Sequence, residues 1–144
     1  MIKLLRVDHR LLHGQVAFSW TQFLGADCIL IANDSLMQDE LRKTTIKLAK
    51  PQGVKVVMKN IQDSIDAINS GVTDKYKLFV VVESIEDANR LAKGTNKFTE
   101  INLGGIKSRE GTRNISKAIN VTPEEEETLK ELINSGIIVE IRQI

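Results

Sequence analysis

The chain is short of several things that would point elsewhere. A single cysteine in 144 residues, Cys28, rules out an internal disulfide framework. It sits in the apolar run Cys28-Ile29-Leu30-Ile31, where a small buried side chain is expected. Excess charge of either sign is missing too: 20 Lys plus Arg face 19 Asp plus Glu, a formal net charge of +1. That balance lacks the electrostatic footprint of a nucleic-acid or anionic-membrane binder, so recognition has to be local. No uncharged stretch approaches the roughly 20 apolar residues of a membrane helix. The longest aliphatic cluster, residues 78–82, is flanked by Lys77 and Glu83. Lys3, Arg6 and Asp8 interrupt the amino-terminal segment as well, so no export signal is expected there. These features suit the cytosol and no direct membrane insertion.

What is present is alternation. Runs rich in Val, Ile and Leu at residues 2–7, 28–32, 54–58, 78–82, 101–103 and 137–141 are the strand candidates, separated by segments of helical period. Apolar residues at consecutive positions, as in Val80-Val81-Val82, suit strands covered on both faces. The reading is α/β: one domain over residues 1–144, a doubly wound and mainly parallel sheet with helices on both faces. Val16, Trp20, Phe23 and Leu24 form one helical stripe, Ile61, Ile65 and Ile68 another, and Met37, Leu41 and Leu48 are expected to form a third. Asp34, Asn60, Ser84 and Thr122 are candidate N-caps, and Gly25, Gly71, Gly94 and Gly136 candidate stops. Glu124 to Glu127 follow Thr122-Pro123 and suit a first helical turn, where carboxylates favour the positive end of the dipole, better than a cation cage.

The first strand runs into Asp8-His9-Arg10-Leu11-Leu12-His13-Gly14-Gln15, which holds both histidines of the protein beside Arg6 and Arg10. A helix is expected to open at Gly14. Unpaired N–H groups at that end, and a glycine that admits close approach, make an anion site beside His13. An imidazole can attack phosphorus, and Arg10 can neutralise phosphoryl oxygens. The spacing of His9 and His13 also fits a helical metal pair, but no third histidine or any cysteine stands near, and no metal or cofactor is expected. A second loop, Gly104-Gly105-Ile106-Lys107-Ser108-Arg109-Glu110-Gly111-Thr112-Arg113, should emerge at the same sheet edge. It matches no Walker pattern and reads equally as a wall of the phosphate site or a solvated basic turn. Chemistry alone leaves open a phosphohistidine relay, a non-catalytic anion or phosphometabolite binding module, and a phosphohistidine-regulated interaction protein.

Leu5-Arg6-Val7-Asp8-His9-Arg10-Leu11-Leu12-His13-Gly14-Gln15-Val16 resembles the active-site signature of the IIB components of mannose/fructose/sorbose-family sugar phosphotransferase systems. The likeness continues through Ala32-Asn33-Asp34, Ala49-Lys50-Pro51 and Leu103-Gly104-Gly105 and covers nearly the whole chain. The resemblance implies a cytoplasmic phosphocarrier, peripherally associated with its permease. His13 would take a phosphoryl group from a phosphorylated IIA protein and pass it to a sugar entering through membrane components IIC and IID. It also implies a sheet of about seven strands, one of them antiparallel, with a strand near residues 114–119. The candidate set is then His13 as nucleophile, Arg10 as phosphoryl stabiliser, and Gly14, Gln15 and Arg6 as phosphate-binding residues. Asp8, His9, Asp34, Gly104 and Gly105 are supporting candidates. His9 stands where the signature more often carries an acidic residue. Neither loop offers an aromatic platform for a sugar.

Overall fold

The computed structural model describes residues 1–142. Eight strands and five helices follow in order: β1 (Ile2–Asp8), α1 (Gly14–Leu24), β2 (Cys28–Ala32), α2 (Glu40–Leu48), β3 (Lys55–Lys59), α3 (Ile61–Ser70), β4 (Leu78–Val82), α4 (Ile85–Thr95), β5 (Glu100–Gly105), β6 (Arg113–Ser116), β7 (Ile119–Val121), α5 (Pro123–Asn134) and β8 (Ile138–Ile141). A 3₁₀ turn, Ser35–Gln38, precedes α2. The sheet order is β3-β2-β4-β1-β5-β8, and every neighbouring pair is parallel.

Alternation along the strands divides the core in two. Leu5, Val7, Leu30, Val80 and Val82 face α3, α4 and α5 through Ile61, Ile68, Ile85, Leu91, Leu129 and Leu132. Leu4, Ile29, Ile31, Phe79 and Val81 face the other way, against Ala17 and Trp20 of α1 and Ile46 of α2. The first two crossovers therefore lie on one face and the later ones on the other. That reversal leaves a crevice at the carboxyl ends of the strands on either side of β1, the usual place for a ligand in a doubly wound sheet.

Several expectations are corrected. The sheet has six strands among the described residues, not seven, and no antiparallel member. The segment near residues 114–119 instead forms a separate antiparallel hairpin of β6 and β7. Its turn places Ala118 at φ 64°, and it joins the segment after β5 through the bridge of Ile106 with Ile119 and the Asn120 side chain, which donates to the Ile106 carbonyl at 3.0 Å. The hairpin docks on the core by burying Ile119 and Val121. Gly104 and Gly105 end β5 rather than begin a loop.

The third stripe fails: α2 starts at Glu40 and buries Ile46, while Leu41 and Leu48 are 80% and 84% exposed. Phe23 likewise turns outward on α1, leaving Trp20 to fill the core. Gly94 does not stop its helix. A Cβ there would meet Ile65 Cδ1 at 2.7 Å, so the glycine is there for close α3–α4 packing, and Asn96 at φ 55° ends the helix instead. Gly136, at φ 101° directly after the C-cap Ser135, ends α5 as expected, its N–H donating to the Ile133 carbonyl at 3.0 Å. Asn60, Ser84 and Thr122 cap as expected, Thr122 with a full capping box through Glu125. Gly25 and Gly71 end their helices in the left-handed conformation. Cys28 is buried, and burial pushes its thiol upward.

Candidate functional site

The signature segment starts as the last residues of β1 and ends as the first turn of α1. Leu11 and Leu12 are buried in the α1-side core, which pins the loop between them and the strand. The tight path puts Leu11 at φ 60° and Gly14 at φ 40°, and Leu11 N–H donates to the Asp8 carbonyl at 2.8 Å. His13 is the N-cap of α1 in extended conformation, with no side-chain capping bond. The first intrahelical bond runs from Ala17 N–H to the His13 carbonyl, so the amides of Gly14 and Gln15 precede it at the positive end of the dipole. The first turn carries no acidic residue to neutralise that end. The Gln15 side chain turns along the helix toward Ser19.

Asp8 is the hub. Its carboxylate is fully buried at the end of β1, where the β1–β5 register shifts by one residue between Val7 and Asp8. Bulges of this kind re-aim side chains beside active sites. Oδ1 accepts from Arg10 N–H at 3.0 Å and Arg10 Nε at 3.2 Å. Oδ2 lies 3.2 Å from Arg6 Nη2, 3.3 Å from Arg10 Nη2 and 3.2 Å from His13 Nε2. Burial alone would raise the carboxyl, but the bonds from Arg10 and His13 prevail and hold it below the ordinary carboxylate value.

The two arginines occupy different sides of this carboxylate. Arg10 is 49% exposed beside His13, which is 27% exposed. Arg6 is only 3% exposed and lies behind Asp8, with Trp20 stacked 5.1 Å from its guanidinium. Burial pulls the Arg6 guanidinium below its usual value, with Asp8 opposing that effect. Arg6 Nη1 donates to Asn102 Oδ1 at 2.6 Å and to the Arg142 carbonyl at 3.3 Å. Gly104 gives the guanidinium its room, since a Cβ there would stand 2.0 Å from Arg6 Cζ. Gly105 accepts His9 N–H at its carbonyl and leaves space beside Asp8.

His9 lines a crevice of about 540 Å³ together with Arg42, Glu83, Lys107, Arg109 and Glu125, a set that includes none of Asp8, Arg10 and His13. Its Nδ1 is buried with no hydrogen-bond partner among the described residues. Asp34 is brought to neither group: it accepts Ile61 N–H at 2.9 Å and pairs with Arg90 at 3.0 Å, tying α3 and α4 to the end of β2. The Ile61 amide and Arg90 keep its carboxyl low. Asn102, Arg42 and Arg142 were not legible as site residues. The available signal was a lone amide in the middle of an otherwise apolar strand.

Comparison with known proteins places the chain in a family. The family model for the PTS system sorbose subfamily IIB component matches residues 2–144. A probable phosphotransferase enzyme IIB component of Streptococcus pyogenes serotype M6 is 34% identical, over 93% of this chain and 85% of its own length. The mannose-specific EIIAB component of Escherichia coli K12 is 31% identical over the whole chain and 45% of its own length. Among solved structures, the IIBSor domain of the sorbose permease from Klebsiella pneumoniae superposes with a TM-score of 0.93 at 27% identity, covering 99% of this chain and 87% of that one. The chain belongs to the sorbose-subfamily IIB components of the sugar phosphotransferase systems.

Proposed function

We propose that this protein is a cytoplasmic phosphocarrier in which His13 accepts a phosphoryl group from a phosphorylated IIA protein. It then delivers the group to a sugar entering through membrane components IIC and IID. The observation that carries this reading is the 3.2 Å approach of His13 Nε2 to the buried Asp8 carboxylate, at the opening of α1. Asp8 is acceptor-only when ionised, so it favours the ring form with hydrogen on Nε2 and leaves the Nδ1 lone pair for attack. A carboxylate that fixes the tautomer of a catalytic imidazole is a recurring device.

In the first half-reaction Nδ1 attacks phosphorus as the donor's P–N bond breaks, and that bonding pair stays on the donor's ring. The His13 ring becomes cationic while Nε2–H remains on Asp8, whose charge stabilises it. Arg10 and the first amides of α1 face the charge on the phosphoryl oxygens. In the second, a sugar hydroxyl attacks phosphorus and gives up its proton to water, while the Nδ1–P bonding pair returns to His13. Arg6, already engaged by Asp8 and Asn102, acts behind the carboxylate rather than on phosphate.

The IIA partner fits the EIIAB name of the Escherichia coli relative, and peripheral association with the permease fits helices none of which is long and apolar enough to cross a membrane among the described residues. Phosphoryl uptake from phosphorylated IIA, followed by release on adding sugar and permease membranes, tests the reading. Uptake without onward transfer would leave a regulatory phosphoprotein, and binding without uptake an anion-binding module.

A further inference from the structure

We propose that Asn102 is a positioning residue for the phosphoryl site, acting on His13 through Arg6 and Asp8, with the end of strand β8 as its anchor. Arg6 and Asn102 are direct register partners on the parallel strands β1 and β5. Both side chains are buried, at 3% and 2% exposure, on a sheet face otherwise covered by apolar residues of α1 and α2. An aliphatic residue would suit position 102 as well as Ile101 and Leu103 suit theirs, were it not for the guanidinium beside it. Asn102 Oδ1 takes the Arg6 Nη1 hydrogen at 2.6 Å, and Asn102 Nδ2 donates to the Arg142 carbonyl at 3.2 Å. That same carbonyl accepts from Arg6 Nη1 at 3.3 Å.

The result is a continuous chain of bonds, buried in its middle and half-buried at its two ends, from the end of β8 to the reacting ring: the Arg142 carbonyl, Asn102, Arg6, Asp8 Oδ2 and His13 Nε2. Each link fixes the next. A guanidinium held at both ends is planar and cannot rotate, so it presents Nη2 to Asp8 in one orientation. Asp8 in turn keeps Oδ2 aimed at His13. Without the Asn102 acceptor, Arg6 would keep its charge but lose its fixed plane, and the Asp8–His13 bond would loosen. Trp20 closes the chain from solvent by stacking on Arg6, and the Arg142 guanidinium lies 4.6 Å from the Phe23 ring centre.

The inference rests on the phosphocarrier reading for its kinetic consequence, but its structural consequence can be read without any phosphoryl donor. Asn102→Leu removes both polar atoms at nearly constant volume, and Asn102→Asp keeps the acceptor for Arg6. With uniformly ¹⁵N-labelled protein, the His13 Nε2–H should be a protected, resolved resonance in the native protein and in Asn102→Asp, and be lost in Asn102→Leu. With phosphorylated IIA, Asn102→Leu should show kcat lowered about 10- to 100-fold at unchanged KM, as small misplacements of a reacting group produce, and Asn102→Asp should recover most of it. Should Asn102→Leu fail to fold, the Asn102→Asp and native spectra still decide: loss of the protected proton in Asn102→Asp would overturn the proposal. A folded Asn102→Leu with a native Nε2–H signal and native kcat would overturn it too. A native protein that shows the resonance, loses it in Asn102→Leu and yet takes no phosphoryl group would uphold the positioning chain and sink the phosphocarrier reading.

Discussion

Gly104 on β5 lies so close to Arg6 on β1 that a Cβ at position 104 would stand 2.0 Å from the guanidinium carbon and 2.1 Å from Nη2. Its φ is not in the left-handed region, so backbone freedom is not the reason for glycine here. The missing side chain is the space Arg6 occupies, and Arg6 cannot yield because Asp8 and Asn102 hold its two ends. Gly104→Ala is therefore expected to destabilise the fold by about 1–3 kcal/mol, the range for overpacking, and to displace Arg6. Gly105→Ala meets Asp8 Oδ1 only at 3.3 Å and should lose less. Denaturant unfolding of the two variants checks the order.

The Asp8 carboxyl predicts a specific acid response. Its folded pKa lies below its unfolded value of about 3.9, so the contribution to stability is complete above that pH and disappears as pH falls through the lower folded value. In Asp8→Asn that part of the acid dependence should vanish. The same variant leaves Arg6 charged and buried without its partner, at a cost of about 3–5 kcal/mol at neutral pH. Urea midpoints measured from neutral pH downward separate the two effects: native stability should fall in acid more steeply than that of the variant.

Gly94 and Ile65 provide a test of packing alone. Alanine inside a helix is ordinarily favoured over glycine by about 1 kcal/mol. At Gly94 the new methyl would meet Ile65 Cδ1 at 2.7 Å, so Gly94→Ala should be destabilising in the native background. In an Ile65→Ala background the obstruction is gone and the sign should reverse, with Gly94→Ala stabilising by roughly 0.5–1 kcal/mol. A double-mutant cycle by thermal or chemical unfolding reads the sign directly.

Arg10 should matter for transfer more than for stability. It is half exposed, and its bonds to Asp8 lie at the solvent side of a carboxylate that Arg6 already neutralises from behind. Arg10→Gln keeps the backbone bond to Asp8 but loses the side-chain bonds that hold that carboxyl low, so it is expected to fold with a modestly lowered melting temperature and to accept phosphoryl groups roughly 10- to 100-fold more slowly. That loss is smaller than the ~10³ or more of a fully engaged arginine finger, because the amide end of α1 remains. Rapid-quench kinetics with a circular dichroism control checks it.

The sequence was informative wherever one local rule decided the outcome. Alternating strands and helices gave the doubly wound sheet, and Asn60, Ser84 and Thr122 cap as their side chains dictate. The signature loop holds His13, Asp8 and Arg10 within eight residues, so adjacency along the chain became adjacency in space. What escaped depended on distant partners. Leu41 and Leu48 have helical spacing, but α2 packs on the sheet through Ile46 and leaves both leucines exposed. Gly94 looks like a stop because Ile65, 29 positions away, is what requires it. Arg6 looked like a phosphate ligand by proximity to His13, and strand alternation with Asn102 and Gly104 opposite places it behind Asp8 instead. The hairpin of β6 and β7 is set by docking of Ile119 and Val121, which no period in so short a segment reveals.

The central claim is that His13 carries the phosphoryl group, and intact-mass measurement after incubation with phosphorylated IIA tests it most directly. The native protein should gain the mass of one phosphoryl group, lose it in acid, and yield a labelled peptide whose modified residue is His13. His9→Asp should gain the same group, since His9 lines the neighbouring crevice, whose lining includes none of Asp8, Arg10 and His13. His13→Gln should gain none. A phosphoryl group mapped to His9, or a folded His13→Gln variant that takes up phosphate at the native rate, would contradict the account.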